Sequence, residues 1–266
     1  MSEVKIAPIP DLGQRTDEIT IYAGPCSVES AEQFDEVAEC IADLGLTWIR
    51  GGAFKPRTNP HSFQGLGEEA LKIMKSAGDK YGLKTLTEVM DSAHCQLVAD
   101  YVDGLQVGAR NFQNFSLLKK IGEVTADTHQ MVLYKRGFAG TIAEWLAATD
   151  YITDHGNTNV VLCERGIRTF ETATRFTLDI AAVPVIHKQS LYPVCIDVSH
   201  PAGQRDLVPS LAKAAIAAGA DSLMIEVHPN PPVALSDGPQ QLTPAQFREL
   251  IAELRELAAC LGKKIV

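Results

Sequence analysis

Eight short runs of apolar, largely β-branched residues, near 20–23, 47–49, 85–88, 104–107, 131–134, 160–163, 194–197 and 222–226, alternate with longer stretches of helical spacing. Those stretches cover 31–44, 66–81, 92–99, 115–121, 141–153, 172–181, 207–218 and 243–261. Strand followed by helix, eight times over, predicts an α/β fold in which a parallel sheet closes into a (β/α)8 TIM barrel; an open doubly wound sheet is the alternative. Ser30 ahead of the first helix, Gly45 behind it and Thr243-Pro244 at the start of the last are the expected punctuation. The barrel should span 18–266, with 1–17 an arm or small cap, and the loops 54–65 and 229–241 are long enough to carry function.

A length of 266 residues, 45% of them hydrophobic, suffices for one large core. No run approaches the roughly 18 apolar residues of a membrane span, and Met1-Ser2-Glu3-Val4-Lys5 lacks the order of a secretory signal. The six cysteines are scattered without CxxC pairing, which points to reduced thiols and a cytoplasmic protein. A formal charge of −9 argues against a nucleic-acid partner, because such binding needs a continuous basic face. Any anion must be held by basic residues gathered locally.

In a barrel of this kind the reacting groups sit at the carboxyl ends of the strands. The residues that follow the eight runs include Gly24-Pro25-Cys26-Ser27, Arg50-Gly51-Gly52-Ala53-Phe54-Lys55-Pro56-Arg57-Thr58, Glu88, Gly108-Ala109-Arg110, Lys135-Arg136-Gly137, Glu164-Arg165-Gly166, Asp197-Val198-Ser199-His200 and Glu226-Val227-His228. Arg50, Lys55, Arg57, Arg110, Lys135 and Arg165 would all face one mouth, where forked guanidiniums and mobile ammoniums suit a phosphate together with a second phosphate or a carboxylate. Glycines beside them, among them Gly52 and Gly108, would let a ligand approach the backbone. Arg136 and Arg168 are read as ordinary salt-bridging residues.

Cys26, His200 and Glu226, with Asp237 in the loop after the last strand, come from elements that are neighbours once the barrel closes. Their sulfur, nitrogen and oxygen donors suit Mn, Fe, Co or Zn better than Mg. Each also has a plainer reading, a packed thiol or a hydrogen-bonded imidazole, so the residues alone leave the metal open. The remaining cysteines are assigned to packing, and His228 and Glu164 either join the site or brace its loops.

These strand-end segments, together with Leu105 through Phe115 and Met224 through Gly238, resemble those of the 3-deoxy-arabino-heptulosonate 7-phosphate (DAHP) synthases. The likeness is to a short microbial subgroup close to the 3-deoxy-octulosonate 8-phosphate (KDO8P) synthases. It runs through nearly the whole chain in order. It implies a metal-dependent condensation of phosphoenolpyruvate with erythrose 4-phosphate, the first step of the shikimate pathway, by a homodimer or homotetramer. It further implies that Cys26, His200, Glu226 and Asp237 hold one divalent metal. Arg110, Lys135, Arg165 and the backbone of Ala109 would hold phosphoenolpyruvate, with Arg50 nearby. Lys55, Arg57 and Thr58 would hold the aldehyde substrate, Lys55 and Lys135 would handle protons, and Glu88 would orient water.

Two positions depart from the resemblance: Val198, where many relatives carry proline, and Phe112, where methionine is frequent. The Lys55-Pro56-Arg57-Thr58 loop follows the DAHP pattern rather than the Lys-Ala-Asn-Arg-Ser type of the KDO8P synthases, which take arabinose 5-phosphate and are the nearest rival reading. A Schiff-base aldolase acting through Lys135 or Lys55, and a non-catalytic anion-binding barrel, are the more distant ones. With no room beside the barrel for an appended module, feedback inhibition by aromatic amino acids through one is not expected.

Overall fold

A computed structural model describes residues 17–55, 59 and 61–266; apart from Asp17, the arm expected at 1–17 lies outside the described residues. The strands β1 (Glu18–Gly24), β2 (Trp48–Arg50), β3 (Lys84–Glu88), β4 (Gly104–Val107), β5 (Met131–Lys135), β6 (Val160–Glu164), β7 (Val194–Asp197) and β8 (Ser222–Glu226) pair in chain order, all parallel. β1 pairs with β8 on one side, Gly24 opposite Glu226, and with β2 on the other, so the sheet closes into the expected barrel. An unforeseen β9 (Lys264–Ile265) lies against the amino-terminal end of β1.

Around the barrel run α1 (Ala31–Asp43), α2 (Glu68–Tyr81), α3 (Cys95–Ala99), α4 (Phe115–Thr125), α5 (Ile142–Thr153), α6 (Ala182–Gln189), α7 (Ser199–Ala202), α8 (Val208–Ala217) and α9 (Pro244–Cys260). Ser30 caps α1 by accepting the Gln33 N–H. Thr243 and Gln246 form a reciprocal capping box ahead of Pro244, where proline's missing N–H costs nothing.

The sixth helix is not at 172–181. That segment is a loop, tied back by an antiparallel bridge between Ile167 and Thr177, and the Glu171 carboxylate accepts the Thr172 and Ala173 amides at 2.7 Å. Side chains that satisfy the backbone locally compete with helical hydrogen bonds, and the three threonines there do little to oppose them. α6 begins only at Ala182; its Pro184 falls in the first turn, where no intrahelical acceptor exists for an N–H. Of the cysteines assigned to packing, Cys40, Cys95, Cys163 and Cys195 are buried, whereas Cys260 is exposed near the end of α9.

Along a strand alternate side chains face opposite ways, so one set fills the barrel and the other meets the helices. Tyr22, Leu86, Met131, Leu133, Val161, Cys163, Cys195 and Met224 form the interior cluster, with Trp48 packed against it. Stepping two residues further toward the carboxyl ends, the inward positions become Gly24, Arg50, Glu88, Gln106, Lys135, Arg165, Asp197 and Glu226. The same period that builds the apolar plug therefore sets a charged layer directly on top of it. Arg136 and Glu164 fall on the opposite parity and pair with each other at 3.0 Å, Arg136 also reaching Asp179 at 2.7 Å, which keeps both out of the mouth.

Gly24 is the one member of this layer without a side chain. Its φ is +147°, and a Cβ there would lie 1.9 Å from the Arg50 carbonyl oxygen. Gly24→Ala is expected to cost about 3 kcal/mol by combining backbone strain with overpacking. A denaturant midpoint equal to that of the unsubstituted chain would show that β1 and β2 have slack here.

Candidate metal centre and anion pocket

Cys26 follows β1, Glu226 ends β8, His200 lies in α7, and Asp237 sits in the loop after β8. One ligand atom from each lies within 4.8 Å of all the others. His200 Nε2 is 3.4 Å from Glu226 Oε1 and 3.8 Å from Asp237 Oδ2, and Cys26 Sγ is 3.5 Å from Asp237 Oδ2.

Three of these four groups are held from behind. The Glu226 carboxylate accepts from Arg50 at 3.1 Å and from Gln240 at 2.6 Å, and the Asp237 carboxylate meets Arg175 at 3.2 Å. Asp197 Oδ1 accepts the Ser199 and His200 amides, which starts the turn of α7. Asp197 Oδ2 lies 2.7 Å from His200 Nδ1, in a contact too bent for a straight hydrogen bond. That arrangement leaves Nε2 facing the other three ligand atoms, as a carboxylate behind a metal-binding histidine does.

The electrostatics of the cluster fit a cation. Burial, reinforced by the charge of Glu226, pushes the Cys26 thiol up to about 12. Burial also lowers His200 against the pull of Asp197 and Glu226, favouring the neutral imidazole that a metal needs. Burial alone would raise Asp237, but His200, Arg175 and Lys55 outweigh it and hold the carboxyl at about 2. A thiol and two carboxylates crowded around one point repel one another as anions, and a divalent ion among them reverses the field on the thiol, since a coordinating thiol is deprotonated outright. The donor set is the mixed one that suits Mn, Fe, Co or Zn.

Beside this cluster the cavity is lined by Arg50, Lys55, Arg110, Lys135, Arg165 and Arg175, together with Glu88. Lys135 donates to Asp197 Oδ2 at 2.6 Å; Lys55 donates to the Cys26 carbonyl at 2.8 Å and lies 3.1 Å from its sulfur. Arg165 is buried, its guanidinium 4.3 Å from the centre of the Phe176 ring and 4.8 Å from that of Phe138, and its Nη1 has no hydrogen-bond partner. Burial, with Arg175 and Arg110 close by, lowers its pKa despite Asp197. Arg110 is exposed and makes no ion pair among the described residues, and Ala109 opens the short turn Ala109–Asn111 beside it. Glu88 also keeps one oxygen, Oε1, buried and unpartnered, while Gln106 donates to the other at 3.2 Å.

The glycines serve the protein's own groups. A Cβ on Gly108 would lie 2.0 Å from Glu88 Oε1, and one on Gly52 would lie 2.7 Å from the Lys55 side chain, so both make room for cavity residues. Of the residues singled out from the sequence, Arg57 and Thr58 lie outside the described residues; the structure brings all the others to this one end of the barrel. Asp197 and Arg175 were not singled out. The inward parity of Asp197, two residues beyond Cys195, was a readable signal; Arg175 was hidden in the segment read as helix.

The family model described as the DAHP synthetase I family matches residues 12–261. A phospho-2-dehydro-3-deoxyheptonate aldolase of Thermotoga maritima is 52% identical over 246 residues, covering 92% of this chain and 72% of that protein. A 2-dehydro-3-deoxyphosphooctonate aldolase of Caulobacter vibrioides is 32% identical, covering 90% of this chain and 87% of its own length. The crystal structure of the Thermotoga maritima phospho-2-dehydro-3-deoxyheptonate aldolase (DAHP synthase) superposes with a TM-score of 0.91 at 50% identity, over 96% of this chain and 74% of that one. A truncated form of the 3-deoxy-D-arabino-heptulosonate 7-phosphate synthase from the same organism gives 0.87 at 46% identity, over 98% and 94%.

Proposed function

The chain belongs to the DAHP synthetase I family and condenses phosphoenolpyruvate with erythrose 4-phosphate and water to DAHP and inorganic phosphate; we propose that the charged layer of the barrel at 18–266 carries this reaction. The observation behind the proposal is that a four-ligand cluster and a buried arginine with an unpartnered nitrogen open onto one cavity.

Arg110, Lys135 and Arg165, with the Ala109 amide, hold the phosphate and carboxylate of phosphoenolpyruvate, and Arg50 keeps Glu226 in place. Lys55, Arg57 and Thr58 hold the aldehyde substrate, Arg57 and Thr58 at its phosphate. Cys26, His200, Glu226 and Asp237 hold one divalent metal, of the Mn, Fe, Co or Zn class. When bound, that ion supplies Lewis acidity toward the aldehyde oxygen.

C3 of the enol phosphate attacks the carbonyl carbon, forming the new C–C bond while both anions are held at near-attack distance. Water, oriented by the free Glu88 oxygen, adds at C2. The resulting hemiketal phosphate then breaks its C2–O bond and releases inorganic phosphate. Lys55, beside the Cys26 sulfur, and Lys135, on Asp197, handle the protons, a reading supported by their position in the cavity.

The protein works in the cytoplasm, a reading supported by its free, mostly buried thiols, and the family resemblance extends this to a homo-oligomer. No helix among the described residues is long and apolar enough to cross a membrane. The test of the whole reading is to assay metal-depleted protein with phosphoenolpyruvate and either erythrose 4-phosphate or arabinose 5-phosphate, with and without Mn(II). Turnover is expected only with erythrose 4-phosphate and Mn(II). Preference for arabinose 5-phosphate would move the chain to the KDO8P branch, and metal-independent turnover would sink the ligand assignment.

A further inference from the structure

We propose that Glu29, which touches neither the metal-binding atoms nor the cavity, is a positioning residue that sets the place of Asp237 against Cys26. The inference rests on the metal assignment above.

Asp237 lies on the loop after β8 in the left-handed region, at φ +48°, a conformation that aspartate tolerates better than most residues but that contacts around it must still hold in place. Glu29 supplies that constraint from the other side of the site. Its Oε1 accepts the Leu235 N–H at 2.9 Å and the Ser27 hydroxyl at 3.2 Å. Its Oε2 faces His228 Nε2 at 3.3 Å. Because His228 Nδ1 accepts the Asn230 amide at 3.0 Å, the ring proton sits on Nε2 and is donated to Glu29. One carboxylate thus pins the loop at two places, 228–230 and 235, on the approach to Asp237.

The ends of this network reach the ligands. Ser27, next to Cys26, is 2.6 Å from the hydroxyl of Ser236, next to Asp237. Gln241 joins the same two segments again, accepting the Cys26 N–H at 3.0 Å and donating to the Ser236 carbonyl at 2.8 Å. Glu29 therefore meets three donors and no acceptor. The isosteric Glu29→Gln substitution preserves shape but sets an amide N–H₂ against one of those donors, which breaks the clamp.

The test is a Co(II) titration of the metal-free full chain, followed by visible absorption. The unsubstituted protein is expected to give a thiolate-to-Co(II) band, absent in Cys26→Ser. E29Q should bind Co(II) about 10-fold more weakly or worse, as loss of an outer-shell partner does, with an altered d–d spectrum and a near-normal melting temperature when metal-free. If E29Q does not accumulate as folded protein, Ser27→Ala removes the hydroxyl through which Glu29 reaches Ser236 and carries the same expectation. Unchanged Co(II) affinity and spectrum in the folded variant, with or without a lowered melting temperature, would overturn the proposal. Absence of the thiolate band in the unsubstituted protein would instead overturn the metal assignment and this inference with it.

Discussion

His200→Ala is expected to lower metal-supported turnover by about 1,000-fold or more, roughly 4 kcal/mol of transition-state stabilisation, and to remove most of the divalent-metal affinity. The imidazole is the one neutral donor among a thiol and two carboxylates, and its Nε2 lies 3.4 Å and 3.8 Å from the carboxylate oxygens of Glu226 and Asp237. Without it only a thiolate and two carboxylates remain to bind the ion, which leaves the coordination incomplete. The fold should survive, because Asp197, which faces the histidine from behind, keeps its 2.6 Å contact with Lys135 and its bonds from the Ser199 and residue-200 amides. Turnover at saturating Mn(II), together with metal affinity from a titration, checks this. A variant within 10-fold of the unsubstituted enzyme would show that His200 is not a ligand.

Arg165→Met is expected to raise the KM for phosphoenolpyruvate about 100-fold while leaving the metal-free protein as stable as before, or more so. The first half follows from losing charge-assisted hydrogen bonds to a phosphate or carboxylate, worth about 1.5–3 kcal/mol each. The second half follows from the sign of the pKa shift. Burial, with Arg175 and Arg110 nearby, lowers the Arg165 pKa, so the charged form is disfavoured by the fold. The guanidinium nonetheless stays charged at any working pH, and its positive charge is a cost to the ligand-free state. Methionine removes that cost and still covers Phe138 and Phe176, the rings that now meet the guanidinium at 4.8 Å and 4.3 Å. Steady-state kinetics and thermal melting without ligand separate the two halves. A normal KM, or a melting temperature lowered by several degrees, would mean that Arg165 is a packing residue.

Much of this was written in the order of the residues. The apolar runs and their period of two were enough to foresee eight strands and a charged layer at their ends, because a barrel interior can only be filled by alternate side chains. The same parity would have brought Asp197 into the site, at the inward position just beyond Cys195, and it separates Arg136 and Glu164 from the cavity. The loop at 172–181 has threonines and a phenylalanine that mimic helical spacing, whereas Phe176 stacks on Phe138 with ring centres 5.0 Å apart and the neighbouring Arg175 lines the cavity.

Local chemistry along the chain thus determined the strand count, the helix caps and the kinds of donor at each strand end, since these depend on neighbours within a few residues. Tertiary structure decided which donors meet. Cys26 and Asp237 are 211 positions apart and lie 3.5 Å from each other only because β1 closes against β8 and the following loop folds back over both. The clamp on that loop, the unpartnered nitrogen of Arg165 and the approach of Arg175 to Asp237 are likewise matters of closure. They arise where distant segments are pressed together, and a one-dimensional pattern carries no record of that pressure.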